Sequence, residues 1–523
     1  MILTNTDPGN LQVDGVYVDV IAAPPQIPQG PATGLIAIVG GANYGPLNVP
    51  IPFSDDASLK AAFGNDTTSS HSLVREALSA MPEGQQFVGV RVAHGLATAA
   101  SIAVLDGSSG TVLTLTSKFP GSLPNNSAYV TVQLQSGSSG SLPVLQVQIG
   151  FPGQPTEVYS NIVANTGGAY SSSTFIANAV ALINGQVANR AGSPRWTASA
   201  GASSVIPAQG TLNYASGGTD GNSGITTSDL FGTDGYNGTG LYALDGLVSG
   251  GQVMLASCVD PAAGANLIAF ATRENCLAHL TFPLGTGTAT AIASRASNAL
   301  ANPNLILDMD WDLVFDVQSG QQMYVSPMGK IAGIISAQPS YLSPGNQPVA
   351  GASGIIATER ITGGLNTVNQ QEAAARQQAG LLWLGYMPRA VRGPELGLPH
   401  GMTSDGITRI CDSRMLKRVV YDLQAIEGPL VDGPMSVNSS NLGQPTWGLL
   451  QDAADGYFGS LLNGQPQQIS DYSFLLGSSN TPATVAAGQL IPSVLVTTLS
   501  SAQFIVNLVQ VGPTVQAQVQ TVA

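Results

Sequence analysis

Four aspartates in the segment LDMDWDLVFD have the spacing in this chain that best suits chemistry. In an extended strand Asp308, Asp310 and Asp312 share one face, and Asp316 follows them. Three neighbouring carboxylates could bind a hard cation. The segment lacks the glycine turn and the later glutamate of a calcium-binding loop, so we expect a solvated strand face rather than a metal site.

The other reactive side chains form no catalytic arrangement in the sequence. The four histidines and three cysteines are scattered: His71, His94, His279, His400, Cys258, Cys276 and Cys411. There is no P-loop, no H-E-x-x-H, no G-x-S-x-G, no C-x-x-C and no G-x-G-x-x-G after a strand. We therefore predict core or surface histidines, buried reduced thiols, no cofactor, no catalytic residue and no enzyme.

Positive charge is concentrated in one short stretch of an acidic chain. Six of the 17 basic residues lie between positions 389 and 418: Arg389, Arg392, Arg409, Arg414, Lys417 and Arg418. The 105 residues that follow contain six acidic residues and no basic one. Two interpretations stay open, an ordinary surface with local ion pairs or an electrostatic contact with an acidic partner.

The composition is typical of a folded, acidic protein of several domains. The chain has 523 residues, a net charge of −14, 43% hydrophobic residues and 9% charged residues. Its negative field repels phosphate, so we expect no direct contact with nucleic acid. No lysine or arginine precedes Lys60 and no apolar run is long enough to span a bilayer, so we expect folding in a cytoplasm without membrane insertion.

Strands and helices alternate in two separated regions, which predicts an α/β layer to position these side chains. In the first region we predict a strand at 34–39, a helix at 70–81 and a strand at 87–92. The pattern returns after about residue 240, with predicted strands at 253–257 and 305–317 and predicted helices at 263–279, 288–300 and 368–379. Between the two regions, the short apolar runs at 112–115, 129–134 and 144–149 predict a β-rich insertion.

Both chain ends hold apolar strands that need a partner. Residues 15–21 alternate as a strand and precede a proline-rich spacer, 22–33, which would extend roughly 30 Å in a polyproline-like conformation. Near the other end we predict strands at 493–499 and 504–511, and the second is apolar on both faces. Such a strand is too hydrophobic for a free edge, so something must cover it.

Several motifs, in this order, resemble those of the contractile tail sheath proteins of bacteriophages and related injection machines. GVYVDV and the spacer after it are similar to the family's start, and residues 35–64 to its next block with a G-P-x-N-x-P turn and a closing F-G. Residues 117–134 resemble its Y-P-G-x-x-G-N motif, and GGTDG at 217–221 its G-G-x-D-G.

The resemblance continues toward the C-terminus with two departures. Residues 324–335 are similar to the family's S-P-x-G-x-x-A-G segment, and 410–430 to the block of its paired arginines, here Lys417 and Arg418. The family's G-x-R-T-L is not recognisable in 385–405, and Gln503 stands where the family has a glutamate.

This resemblance implies an α/β (α+β) multidomain fold. Residues 1–33 would be an N-terminal arm and linker that complete the inner domain of a neighbour. The central α/β domain would comprise 34–95 and 236–365, the β-rich inserted outer domain 96–235, and the C-terminal inner domain with an exchanged terminal strand 366–523.

The resemblance also implies a function, a structural virion subunit assembled in the host cytoplasm. Stacked hexameric rings of it would surround a tail tube and contract to drive the tube through the host envelope. Expected partners are further copies of the chain, the tail tube protein, and baseplate and tail terminator proteins.

The residues implied by the resemblance fall into two groups. Strand exchange between subunits would use Val16, Tyr17, Val18, Val20, Ile21, Phe504, Ile505, Val506, Leu508 and Val509. Tube contacts would use Arg409, Arg414, Lys417 and Arg418. The alternatives left open are the sheath of a phage-derived injection system, a bacterial surface adhesin or binding protein, and a hydrolase of unrecognised type.

Overall fold

The computed structural model describes residues 33–135, 144–166, 169–346, 355–362, 365–387, 395–433, 446–475, 477 and 480–500. The predicted strands at 15–21 and 504–511, and the spacer apart from Thr33, lie outside these residues. The described chain divides between two compact units, residues 1–431 (unit 1) and 432–523 (unit 2). Each is described here by itself.

The strands of unit 1 are short and follow one another along most of its length. They are β1 Leu35–Gly40, β2 Pro50–Phe53, β3 Gln86–Arg91, β4 Ser101–Leu105, β5 Thr111–Ser117, β6 Tyr129–Gln135, β7 Val144–Phe151, β8 Gln154–Val163, β9 Asn165–Thr166, β10 Ala169–Tyr170, β11 Trp196–Ala200, β12 Asn213–Tyr214, β13 Gln252–Leu255, β14 Leu277–Thr281, β15 Leu305–Asp308, β16 Asp312–Asp316, β17 Gln321–Val325, β18 Ile355–Thr358, β19 Ile361–Thr362, β20 Leu365–Asn366, β21 Leu381–Leu382, β22 Gly385–Met387 and β23 Glu395–Gly397. Unit 2 adds β24 Ile469–Leu475 and β25 Ser493–Thr498.

The helices of unit 1 alternate with these strands along the sequence, and α9 is the last of them. In unit 1 they are α1 Asp56–Phe63, α2 Leu73–Ala80, α3 Ser172–Ile183, α4 Thr227–Phe231, α5 Gly264–Arg273, α6 Thr288–Ser297, α7 Met328–Ala337, α8 Gln370–Gln378 and α9 Ile410–Glu427. Unit 2 contains α10 Thr446–Asn463 and α11 Pro482–Ala486. Short 3₁₀ turns occupy Gly240–Leu244, Pro261–Ala263 and Gly428–Leu430.

A seven-stranded sheet forms the middle layer of unit 1. Its order is β2-β3-β1-β13-β14-β15-β21, and every pair is parallel except β2 with β3. The central strands are buried on both faces because helices cover both, α5 on one side and α2 and α7 on the other. This is the α/β layer that the alternating pattern predicts.

Residues 100–215 build a second core beside that layer. The sheets β11-β5-β4 and β12-β6-β7-β8 enclose it with α3, and the fully buried Trp196 packs against Phe151. Strands at the three predicted runs are confirmed, whereas α3 was not predicted. Its apolar residues recur at helical spacing after the N-cap Ser171: Phe175, Ala179, Leu182 and Ile183.

Two element predictions are wrong, and both breaks occur at a residue with positive φ. The helix predicted over 263–279 ends at Arg273 because Asn275 adopts a φ of 54°, and His279 then lies in β14. The long strand predicted over 305–317 is two strands, β15 and β16, separated by Asp310 with a φ of 65°. β15 belongs to the seven-stranded sheet and β16 to the antiparallel sheet β17-β16-β18-β19-β20.

Unit 2 is a helix packed on a two-stranded sheet. β24 and β25 pair antiparallel, with Ile469 opposite Thr498 and Leu475 opposite Ser493. Phe458 of α10 stacks on Tyr472 of β24 with 5.1 Å between ring centroids. The strand predicted at 493–499 is thus confirmed, and the 18-residue α10 is a helix that was not predicted.

Candidate functional site

The four aspartates are buried, so the predicted solvated strand face is wrong. Asp308 and Asp312 are completely buried, and Asp310 and Asp316 are at most 8% exposed. Because the chain turns at Asp310, the four carboxylates do not share one strand face. Three of them each contact a different side chain, whereas neither oxygen of Asp312 has a hydrogen-bond partner among the described residues. Among the described residues no group of three or more His, Cys, Asp or Glu side chains could hold a metal ion.

Asp308 belongs to a buried hydrogen-bond chain that crosses the parallel sheet. Gln252 Nε2 donates to Ala332 O at 3.1 Å, so Gln252 Oε1 faces His279 Nε2 at 2.9 Å and that nitrogen carries a proton. His279 Nδ1 lies 2.9 Å from Asp308 Oδ2. Burial raises the pKa of Asp308, which favours a protonated carboxyl that donates to His279 Nδ1. Asp308 Oδ1, the other oxygen of this carboxyl, has no hydrogen-bond partner among the described residues.

Asp310 is held by a buried ion pair with Arg376 of α8. Arg376 Nη1 donates to Asp310 Oδ2 at 2.5 Å, Nη2 lies 3.1 Å from Glu372 Oε1, and Nε donates to Thr288 Oγ1 at 2.8 Å. The guanidinium carbon sits 5.1 Å above the ring of Trp383. Arg376 is completely buried, and this network joins α8 to the end of the parallel sheet.

A cleft of about 340 Å³ lies between α1, α2 and the β16–β17 hairpin. Two lysines at this cleft are in ion pairs: Lys60 with Asp56 at 2.8 Å and Lys330 with Glu83 at 3.3 Å. The lining also brings a hydroxyl to a carboxylate, since Thr67 Oγ1 donates to Asp316 Oδ2 at 2.8 Å. Asp316 accepts from the backbone N–H groups of Gln318 and Ser319 as well, so this contact fixes the turn after β16.

The remaining histidines and the cysteines also have structural surroundings. His400 is buried, its Nε2 lies 2.9 Å from Leu381 O, and burial lowers its pKa to about 4. His94 is an exposed partner of Asp229 at 2.8 Å. The three cysteines are buried with raised pKa values because burial disfavours the thiolate. Buried reduced thiols, as predicted, are confirmed.

Three of the predicted tube-contact residues lie in α9 and the fourth, Arg409, is its N-cap, but two of the four point inward. Arg414 is 1% and Lys417 2% exposed, and burial lowers their pKa values to about 10 and about 8. Neither side chain lies on the surface of the described subunit, and their contact with a tube stays a prediction. Ile410, Arg414 and Lys417 recur at the i, i+4, i+7 spacing of one helix face, a signal that could have shown their burial.

Arg409 and Arg418 occupy a more accessible face of α9. Arg409 Nε and Nη2 donate to the two oxygens of Asp412 at 2.7 and 2.8 Å, and this contact raises the pKa of Arg409. Arg418 Nε lies 3.4 Å from Asp422 Oδ2. Their side chains are 16% and 20% exposed, so both retain a surface that a partner could contact. Arg389 and Arg392 lie outside the described residues.

The β24–β25 hairpin of unit 2 is a two-stranded sheet. Among the described residues each of its strands pairs only with the other. Leu475 is 59% and Leu495 68% exposed, whereas Phe474 is buried. An exposed apolar strand edge is a surface that favours pairing with another chain. The ten residues predicted to exchange lie outside the described residues.

Among the described residues no helix combines the length and apolar character needed to cross a membrane. The described residues offer two candidate surfaces for assembly, one at α9 and one at the β24–β25 hairpin.

Comparisons with solved structures agree with this view. The sheath tail protein of Desulfitobacterium hafniense is 14% identical, with a TM-score of 0.55, and the match covers 93% of this chain and 100% of that chain. The sheath tail protein Lin1278 of Listeria innocua is 13% identical, with a TM-score of 0.56 over 89% of this chain and 95% of that chain. No protein-family model and no curated protein matches the chain. The chain therefore has the multidomain α/β fold of sheath tail proteins over nearly its whole length.

Proposed function

We propose that this chain is the structural subunit of a contractile tail sheath. The observation that carries the proposal is the shared fold, which extends over 93% of this chain and all of the sheath tail protein of Desulfitobacterium hafniense. Burial of the aspartates and thiols, and the paired charges of the cleft, support a structural role. The proposal covers a phage tail and a phage-derived injection machine alike, because both alternatives give the subunit the same role.

In the proposed assembly the chain forms stacked hexameric rings around a tail tube. The tube protein, baseplate proteins and a tail terminator would be its further partners, in a particle assembled in a host cytoplasm. Contraction would be a rigid-body movement of subunits from one lattice packing to another, which needs no nucleotide because the two packings differ in free energy. The domain boundaries at 33, 95, 235 and 365 belong to this proposal.

The β24–β25 hairpin is the proposed acceptor for strands of neighbouring copies. Its two strands pair only with each other among the described residues, and the chain has two terminal segments with strand patterns, 15–21 and 504–511. A donated strand of this length makes about four to six backbone hydrogen bonds, each worth about 1 kcal/mol net. One arm alone binds modestly, whereas two arms per subunit in a closed ring make each further contact intramolecular.

Matched truncations test this arrangement. A chain lacking residues 1–14 keeps the segment 15–21 and should assemble like the full chain. A chain lacking residues 1–21 should remain a folded monomer in size-exclusion chromatography and form no cylinders in negative-stain micrographs. Cylinders from the second truncation would refute strand exchange at this end.

The tube contact is proposed for the accessible face of α9. The charge reversals Arg409→Glu and Arg418→Glu should weaken co-assembly with the tube protein, because exposed cations steer and orient an acidic partner. Lys60→Glu, on α1, is the control for a general charge effect. Unchanged co-assembly at low and moderate salt would remove α9 as the tube contact.

A further inference from the structure

The described chain enters the seven-stranded sheet directly after its proline-rich spacer. Thr33 and Gly34 precede β1, which lies between β3 and β13. Side chains of two helices hold both residues by their carbonyl groups. Arg414 Nη2 of α9 donates to Thr33 O at 3.1 Å, and Ser336 Oγ of α7 donates to Gly34 O at 2.6 Å. The end of the spacer is thus fixed to α9 and α7 before β1 begins.

Arg414 is a charged residue in a buried position, where loss of hydration costs free energy. It is 1% exposed, and its Nε finds no hydrogen-bond partner among the described residues. Its remaining contact is a long one of 3.5 Å from Nη1 to Pro339 O, after α7. Taking a guanidinium out of water costs several kcal/mol, and among the described residues no carboxylate pairs with Arg414 to offset that cost. The guanidinium therefore needs another explanation than the stability of the core.

The guanidinium is suited to joining separate backbone segments. Its planar fork presents donors in fixed directions, so one side chain can hold two carbonyl groups at once. Here the two carbonyl groups belong to Thr33, at the end of the spacer, and to Pro339. An apolar side chain could fill the same space but could not hold either carbonyl.

We propose that Arg414 is a positioning residue that fixes the direction in which the N-terminal spacer leaves the subunit. This inference rests on the proposed function, in which segment 15–21 must reach a second copy of the chain. A pulling force on the spacer acts on unit 1 at Thr33, and the contacts with Arg414 and Ser336 pass this force to α9 and α7. These contacts therefore bear the force before the backbone hydrogen bonds of β1 do.

The test compares Arg414→Met with Arg295→Met in the full chain. Arg295 of α6 also donates to a backbone carbonyl, that of Ser404, so its variant controls for the loss of an arginine–carbonyl contact elsewhere in unit 1. Thermolysin suits the experiment because residues 22–33 contain no lysine or arginine for trypsin. Hydrogen exchange of the peptide covering 33–40 reports the same contact without cleavage.

We expect Arg414→Met to stay folded, with an unfolding temperature equal to or above that of the wild type. Release of the N-terminal segment should be about tenfold faster, since a charge-assisted hydrogen bond that opposes local opening is lost. Cylinders of this variant should be shorter and less regular, whereas those of Arg295→Met should match the wild type.

Two results would overturn the inference separately from the proposed function. If wild-type cylinders form but Arg414→Met shows wild-type cleavage and exchange at 33–40, Arg414 does not position the spacer. If no wild-type cylinders form, the proposed function fails whatever the cleavage rates are. Ser336→Ala is a milder variant that removes only the hydrogen bond to Gly34, and it should also make cleavage of the N-terminal segment faster. Wild-type hydrogen exchange of the 33–40 peptide in this variant would contradict the inference as well.

Discussion

Replacing Arg376 by methionine should destabilise unit 1 strongly. The variant keeps an unbranched side chain of similar length but leaves Asp310, 4% exposed, without its cation. Breaking a buried ion pair by removing one partner costs about 3–5 kcal/mol. At about 2 °C per kcal/mol, the lower end for large domains, the unfolding temperature should fall by about 6–10 °C.

The assay is thermal unfolding followed by circular dichroism, with Arg273→Met as the matched control. Arg273 contacts three carboxylates, those of Asp234, Asp245 and Glu274, but its side chain is 42% exposed. Solvent screening limits such pairs to about 1 kcal/mol or less. Adding Asp310→Asn to Arg376→Met should recover part of the loss, because the unpaired charge is removed. Equal losses for the two arginine variants would refute the reasoning.

Three further variants test the buried charges and the backbone. Burial raises the pKa of Asp312 well above its usual value, so the free energy of unfolding of the wild type falls as the pH rises above about 4. The unfolding temperature of Asp312→Asn should therefore rise relative to that of the wild type between pH 4 and 8. A difference that stayed constant with pH would contradict this. Burial lowers the pKa of Lys417 to about 8, so unfolding takes up a proton between about pH 8 and 10.5 and the wild type gains stability across that range. The excess stability of Lys417→Met over the wild type, measured by chemical denaturation, should therefore shrink as the pH rises. An excess that grew with pH would contradict this. Gly380 has a φ of 60°, and a Cβ there would lie against Thr403 O. Gly380→Ala should therefore lower the free energy of unfolding by over about 1 kcal/mol more than Gly285→Ala, where the φ of 86° is also unfavourable but the space is open. Equal losses would show that the structure relaxes around the added methyl group.

Local patterning was sufficient for much of unit 1. Leu35–Gly40 is apolar on both faces because it lies inside a covered parallel sheet, and the pattern of GLIAIV predicts this. The turn at Asp310 could not be predicted, since alternation continues on both sides of it and only the tertiary structure assigns β15 and β16 to different sheets. Carboxylates are usually exposed, and the burial of Asp312 could not be predicted either, because it also depends on the tertiary structure.

The candidate assembly surfaces were predicted less completely. Counting charge placed Arg414 and Lys417 on the surface, although helical spacing with Ile410 puts them on an inward face. The sequence could not show that Arg414 contacts Thr33, because 381 positions separate the two residues. Accessible charge at Arg409 and Arg418, and the β24–β25 strand edges, depend on which faces packing leaves open.

The central claim is that the chain's ends are completed by neighbouring copies in a sheath lattice. An electron cryomicroscopy map of cylinders grown from the purified chain tests it most directly. The account predicts two additional strands on the β24–β25 hairpin, residues 15–21 and 504–511, traced to different copies. A map in which both segments return to their own subunit, or a protein that stays monomeric at high concentration with and without tube protein, would contradict it.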